Sequence, residues 1–317
     1  MNKALRTMLQ LSVGILLFVF LFSQVGIGAF WEVLKTINLW WLIPSVLMTI
    51  PTQVLAASNF SVLFSALGKN SSFSHLFRSG MLSFSIGMVA PGKLGDLSLV
   101  SLLREGDIGY GDTLAATVAD KMISLFVTGV LALLGIAWFL DLQTFWIVFG
   151  VGAGAFLVGM LGISSSRIRG LVKKYILRRH AKHFDGFYSN LRLLVREKKL
   201  YLLVNIVLTL MKFFSGFIGT WFLFRAFDVQ VSLLVILFVT AITSLLSLIP
   251  ISISGLGVRE GVGTYLYTLV GGVSVVLSAN VVIIATVRKY VVALIYYFMN
   301  IHLLERLQKT MQDVRRG

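Results

Sequence analysis

No cysteine occurs in the 317 residues, so disulfide frameworks, thiolate metal sites and thiol nucleophiles are all excluded. Histidine is limited to four positions, His75, His180, His183 and His302, which fall near the edges of apolar stretches or in a basic loop and form no helix-borne metal pair. Neither a Walker-type phosphate loop nor a clustered aspartate motif is present, so no cofactor and no metal is expected. Charged residues are only 13 % of the chain and prolines number four, which leaves long runs free to be helical and apolar.

What fills those runs is hydrophobic: 57 % of residues are apolar, and the mean hydropathy is +0.89. Such a composition belongs in a bilayer. A crossing helix needs about 20 apolar residues, and six segments supply them, roughly 7 to 26, 41 to 67, 113 to 139, 143 to 163, 200 to 226 and 277 to 301. The first follows Lys3 and Arg6 as a signal peptide would, but no small-residue cleavage site follows it, so a retained helix is expected.

The formal charge of +15 is placed unevenly. Residues 165 to 199 carry eleven bases against Asp185 and Glu197, which marks that linker as cytoplasmic by the positive-inside rule. Both termini then lie inside, at the cytoplasmic (inner) membrane of a prokaryote, and the sparsely charged connections near Gly26 to Trp40, Leu140 to Gln143, Phe227 to Ser232 and Val270 to Ser274 face outward. Within the linker, Phe184, Phe187, Tyr188, Leu191, Leu194 and Val195 recur at helical spacing, which predicts an amphipathic helix on the inner leaflet.

The remaining apolar pieces come in pairs, 73 to 89 with 97 to 104 and 232 to 249 with 259 to 270. Each pair is split by a glycine-containing, charged break, Pro91-Gly92-Lys93-Leu94-Gly95-Asp96 in one and Pro250 through Gly255-Leu256-Gly257-Val258-Arg259-Glu260 in the other. At least one arm of each pair is short for a crossing, so re-entrant or broken helical hairpins are expected. Non-helical backbone is tolerated at membrane depth only where protein or a water-filled cavity surrounds it. The expected fold is therefore an all-α polytopic membrane protein forming one integral domain over 1–317, with six full transmembrane helices and two hairpins. A first repeat spans 41–139 with hairpin 73–104, and an inverted second repeat spans 200–301 with hairpin 232–270, joined by the 165–199 linker.

Ionisable groups at mid-membrane depth cost roughly 2.5–3.5 kcal/mol each, yet this chain places nine there. Lys93, Lys121, Lys212, Arg259, Arg288 and Lys289 face only Asp96, Asp120 and Glu260, a formal excess of three positive charges. An unmatched buried cation snorkels, deprotonates or awaits an anion, and a lipid phosphate is the obvious anion. The expected substrate-binding set is Lys93, Asp96, Asp120, Lys121, Lys212, Arg259, Glu260 and Arg288, with Pro91, Gly92, Gly95, Pro250, Gly255 and Gly257 forming the breaks. Arg259 and Glu260 have a second reading, pairing with Asp96 or Lys93 to hold the hairpin tips together. Lys289 is left between snorkelling and a headgroup contact.

The strings Ala90-Pro91-Gly92-Lys93-Leu94-Gly95-Asp96, Leu102-Leu103-Arg104, Ala115 through Asp120-Lys121 and Ile249-Pro250-Ile251-Ser252 with Gly255-Leu256-Gly257-Val258-Arg259-Glu260-Gly261 resemble the flippase-like transmembrane family of lysylphosphatidylglycerol synthetases. That family usually carries Glu-Arg where this chain has Asp120-Lys121. With no synthase domain expected after residue 317, the resemblance implies a stand-alone lipid translocase, not an enzyme. It would move an anionic or aminoacylated phospholipid, or a polyprenyl-phosphate-linked lipid, between leaflets. Two rivals stay open: a membrane-embedded lipid-modifying enzyme, and a scaffold subunit for envelope lipid-synthesis enzymes. The partner expected in every case is a membrane lipid with an anionic headgroup, not a nucleic acid.

Overall fold

The computed structural model describes residues 19–89, 94–139, 186–247 and 255–303, with short pieces at 12, 15–17, 143, 145–147, 149, 150, 154 and 252. Every regular element among the described residues is helical: α1 (Ile27–Lys35), α2 (Leu39–Ala66), α3 (Phe73–Val89), α4 (Leu94–Leu102), α5 (Tyr110–Phe139), α6 (Phe187–Glu197), α7 (Lys199–Ala226), α8 (Leu233–Leu246), α9 (Val258–Gly271) and α10 (Val275–Met299). Two thirds of the expected crossing at 143–163 lies outside the described residues, as do Pro91, Gly92, Lys93, Pro250 and most of the basic linker.

Four helices, α2, α5, α7 and α10, are long and apolar enough to cross a membrane, with 28, 30, 28 and 25 residues. They coincide with four of the six expected segments. The segment expected at 7–26 meets a sharp corner: helix Ile15–Val25 bends by 76° into α1, around Gly26 at φ 76°. The long helices are apolar on the outside as well as inside. Leu203, Val207, Met211 and Phe214 make an exposed stripe along α7, and Val287, Val291, Leu294 and Phe298 make one along α10. Continuous apolar stripes of this length suit contact with lipid tails, not water.

Shorter helices fill the pairs between them. At 1.5 Å per residue, α3 (17 residues) reaches about 25 Å and α4 (9 residues) about 14 Å. By the same rise, α8 and α9 (14 residues each) reach about 21 Å, so every arm falls short of a ~30 Å core. Inside the first hairpin, Ser79 Oγ donates to the Leu102 carbonyl at 3.1 Å and Ser83 Oγ to the Gly95 carbonyl at 2.7 Å. There the two backbones nearly touch: a methyl on Gly95 would sit 2.5 Å from the Gly87 Cα.

Side-chain hydrogen bonds give the helix directions. Pairs 59–209, 52–215 and 45–219 join α2 to α7, so these two run antiparallel along a seam of small and polar residues. Pairs 45–288 and 49–296 make α10 parallel to α2. Ser85 bonds the Ala293 carbonyl while Asn300 reaches Met81, so α3 runs antiparallel to α10. Glu260 meets Thr286 and Thr268 meets Ser278, so α9 does too. The two hairpins thus approach α10 from opposite ends, the first bonding it at Ala293 through Ser85 and the second at Thr286 through Glu260.

The other long helix, α5, packs against α8, and Gly135 gives the room: a methyl there would lie 2.6 Å from Phe238 Cβ. At its start, Asp112 accepts from Gly109 N at 2.9 Å and from Asn190 of α6 at 2.6 Å. Helix α6 falls within the stretch where an amphipathic helix is expected, and it packs on the bundle. Its Leu191 and Leu194 are buried with Leu63, Ala115 and Ala116, while Tyr188 and Val195 remain exposed. Its strongest apolar positions are spent on the bundle because α5 offers a small-residue face to receive them. Phe184 lies outside the described residues.

At the surface, Lys69 Nζ donates to Asp107 Oδ2 at 2.9 Å, clasping the α2–α3 turn to the α4–α5 turn. This bond raises the Lys69 pKa and lowers that of Asp107. The clasp is therefore present between the ordinary carboxylate and ammonium ranges, and is lost as pH falls below the first or rises above the second. Hydrogen-exchange protection of residues 67–71, taken relative to the intrinsic rate at each pH, should fall in acid, and Asp107→Asn should abolish that acid response with little change in global stability. Gly95→Ala, forced against Gly87, should cost about 1–3 kcal/mol, read as a lower midpoint of thermal unfolding in detergent.

Candidate functional site

The second and third turns of α2 are where the seam opens. Pro51 has no N–H to give the Leu47 carbonyl, so the helix is interrupted at Met48. The Met48 carbonyl nearby accepts two side-chain donors, Thr52 Oγ1 and Ser215 Oγ, each at 2.9 Å. Ser45, Met48, Thr49, Thr52 and Gln53 around the interruption line a cavity of about 260 Å³, lined on its other sides by α7, α8, α10 and Phe84 of α3.

Three cations line this cavity: Lys212, Arg288 and Lys289. Lys212 lies 13 residues into α7 and Arg288 13 residues into α10, each about 20 Å from the start of its helix and so near mid-depth. Arg288 is held from one side only. Its Nη1 donates to the Ser45 carbonyl at 3.1 Å and to Ser45 Oγ, which itself donates to the Gly219 carbonyl at 2.7 Å. Gly219 makes room for this: a methyl there would lie 2.8 Å from Arg288 Nη1. Arg288 Nε is buried and has no acceptor. Lys212 Nζ reaches Ser124 Oγ at 3.4 Å. Among the described lining residues there is no carboxylate.

Arg259 and Glu260 stand apart from this cavity. Glu260, fully buried, caps the start of α9 by accepting from Gly257 N at 2.6 Å. Its other oxygen accepts from Arg259 Nη2 at 3.1 Å and from Thr286 Oγ1. Arg259 Nη2 also reaches Thr286 Oγ1 at 3.0 Å. The pair is thus made between chain neighbours and tied to α10; Lys93 and the Asp96 side chain lie outside the described residues. Gly257 (φ 84°) and Gly255 (φ 76°) take backbone conformations that L side chains rarely adopt, and a methyl on Gly255 would strike Ser247 Cβ at 2.7 Å.

Of the other expected site residues, Asp120 is buried in α5 with Oδ1 lacking a partner, and Lys121 is exposed. Neither lines the cavity. Asp96 lies in the first turn of α4. The structure therefore brings Lys212 and Arg288 together, adds Lys289 and the α2 segment around Met48, and leaves Arg259, Glu260, Asp120 and Lys121 outside the lining. The α2 segment had a signal in the sequence: Pro44 and Pro51 fall within an otherwise apolar crossing, where an interrupted helix frees carbonyls.

Breaking the Arg259–Glu260 pair from one side leaves a buried charge unmatched. Arg259→Ala should destabilise the protein by roughly 3–5 kcal/mol in a detergent unfolding experiment. The double change Arg259→Ala, Glu260→Gln should recover a large part of that loss.

Comparison with known proteins agrees with this membrane architecture. The family described as the lysylphosphatidylglycerol synthase TM region matches residues 7–296. A UPF0104 membrane protein of Methanothermobacter thermautotrophicus is 22 % identical over 286 residues, covering 82 % of this chain and 84 % of the relative. Another UPF0104 membrane protein, from Methanocaldococcus jannaschii, is 20 % identical over 283 residues with the same shares covered. With a family match running over nearly its whole length, this chain is an integral membrane protein that belongs to the lysylphosphatidylglycerol synthase transmembrane-region family.

Proposed function

We propose that the protein is a lipid translocator that passes a phosphate-bearing headgroup between leaflets through the cavity bounded by α2, α7 and α10, while the lipid tails stay in the bilayer. The observation that carries this reading is the trio Lys212, Arg288 and Lys289 around one mid-depth cavity without a carboxylate among its described lining residues. Cations so placed are costly unless an anion visits them. Arg288 fits the role best: its Nη1 is fixed by Ser45 and its buried Nε lacks an acceptor, so a phosphate oxygen would complete it. Family membership supports a lipid-related role in the membrane.

On this reading the chain makes six crossings with two re-entrant hairpins and sits in the cytoplasmic membrane with both termini inside. The long helices and hairpins would form inverted repeats, 41–139 and 200–301. Support comes from the antiparallel course of α2 and α7, the first helices of the two halves, and from hairpin arms that approach α10 from opposite ends and bond it at Ala293 and Thr286. In alternating access the hairpins would rock against that helix. Arg259 and Glu260 then pin the second hairpin to α10, and the cation trio meets the cargo. The sequence carries no nucleotide-driven motor, so an ion gradient or removal of the moved lipid would supply direction. An enzyme or a scaffold finds no specific support in this geometry.

Purified protein in vesicles should speed leaflet exchange of fluorescent phosphatidylglycerol over protein-free vesicles. Arg288→Ala and Lys212→Ala should each lower that rate at least tenfold with folding intact. Gly219→Ala, which displaces Arg288 without removing it, should give an intermediate rate. Equal rates for wild type and both cation variants would refute the proposed passage.

A further inference from the structure

The chemistry of the cavity wall selects among phosphate headgroups, an inference that rests on the translocation reading and narrows it. A headgroup carrying an amine needs an anion opposite its ammonium, as well as a cation opposite its phosphate. This wall supplies three cations and, among its described lining residues, no carboxylate. The nearby buried carboxylate is fully engaged: one Glu260 oxygen accepts from Gly257 N, and the other from Arg259 and Thr286. An ammonium brought beside Lys212, Arg288 and Lys289 meets like charge with nothing to offset it.

A polyol meets the opposite situation. The hydroxyl protons of Thr49 and Ser215 are given to the Val46 and Met48 carbonyls, at 2.7 and 2.9 Å. Their oxygens already accept from Tyr296 Oη at 3.3 Å and from Thr52 Oγ1 at 3.0 Å, which leaves each one further lone pair for a sugar or glycerol hydroxyl. The Gln53 amide adds an uncharged donor and acceptor on the same wall.

We propose that the site accepts a phosphodiester headgroup bearing a small uncharged polyol and rejects headgroups that bear an amine, the lysyl ester included. The selectivity lies in the charge of one sign carried by the described lining residues, Lys212, Arg288 and Lys289.

The test is leaflet exchange in vesicles of equal total charge, with labelled phosphatidylglycerol, phosphatidylethanolamine and lysyl-phosphatidylglycerol compared for the same protein. Phosphatidylglycerol should exchange at least tenfold faster than either amine-bearing lipid. Gln53→Glu, which adds a carboxylate to the wall, should slow phosphatidylglycerol and narrow the gap to phosphatidylethanolamine. Exchange of all three at one rate, or faster exchange of an amine-bearing lipid, overturns the headgroup inference while leaving translocation standing. If no lipid moves faster than in protein-free vesicles, translocation itself fails. The headgroup inference is then decided by mass spectrometry of the intact protein in detergent with an equimolar mixture of the same lipids. Preferential retention of phosphatidylglycerol upholds it, and retention of an amine-bearing lipid overturns it.

Discussion

An arginine halfway across an apolar bundle, held on one flank by a serine and open on the other, is the constraint around which this fold is arranged. Arg288 Nη1 is satisfied by the Ser45 carbonyl and hydroxyl, and Ser45 in turn by the Gly219 carbonyl, so three helices share one polar junction at mid-depth. Each partner has a reason for being where it is. Ser45 belongs to the proline-interrupted start of α2, Gly219 is small enough to admit the guanidinium, and α10 is the helix on which both hairpins converge. In hydrocarbon no water is at hand to rescue an unpaired group, so these placements depend on one another.

The two hairpins solve the same problem of irregular backbone in different ways. The first is closed by contact: Gly87 against Gly95, with Ser79 and Ser83 donating across to carbonyls of the other arm. The second is closed by charge: Glu260 turns back to cap its own helix and draws in Arg259 and Thr286. A carboxylate at the third position of a helix suits the positive end of the helix dipole, so Glu260 is stabilised from both directions.

The four long helices were legible because length and hydropathy suffice for them, and the hairpin arms because each is too short to cross. Lys212 and Arg288 could be picked out by depth alone. Arg259 and Glu260 were read as cargo contacts or as partners of Asp96 or Lys93, and their bond to each other was not legible because neighbours one residue apart do not face each other on a regular helix. They meet here only because Glu260 folds back onto the first turn, a tertiary and capping effect that periodicity does not encode. That Leu191 and Leu194 of α6 pack on the alanine-rich face of α5 was likewise not legible, because the linker's own pattern does not reveal what receives them. Lys289 gave no directional cue, since adjacent Arg288 is equally deep. The part of α2 that lines the cavity was hidden by its ordinary hydropathy, although Pro44 and Pro51 marked it.

The Gly87–Gly95 contact has a mechanical corollary. Two helices whose backbones already touch have no slack left to slide or splay, so α3 and α4 form a stiff paddle. Any motion of this hairpin must then be a swing about its roots, near the turns at Ser72 and Arg104, and the Lys69–Asp107 clasp sits beside that fulcrum.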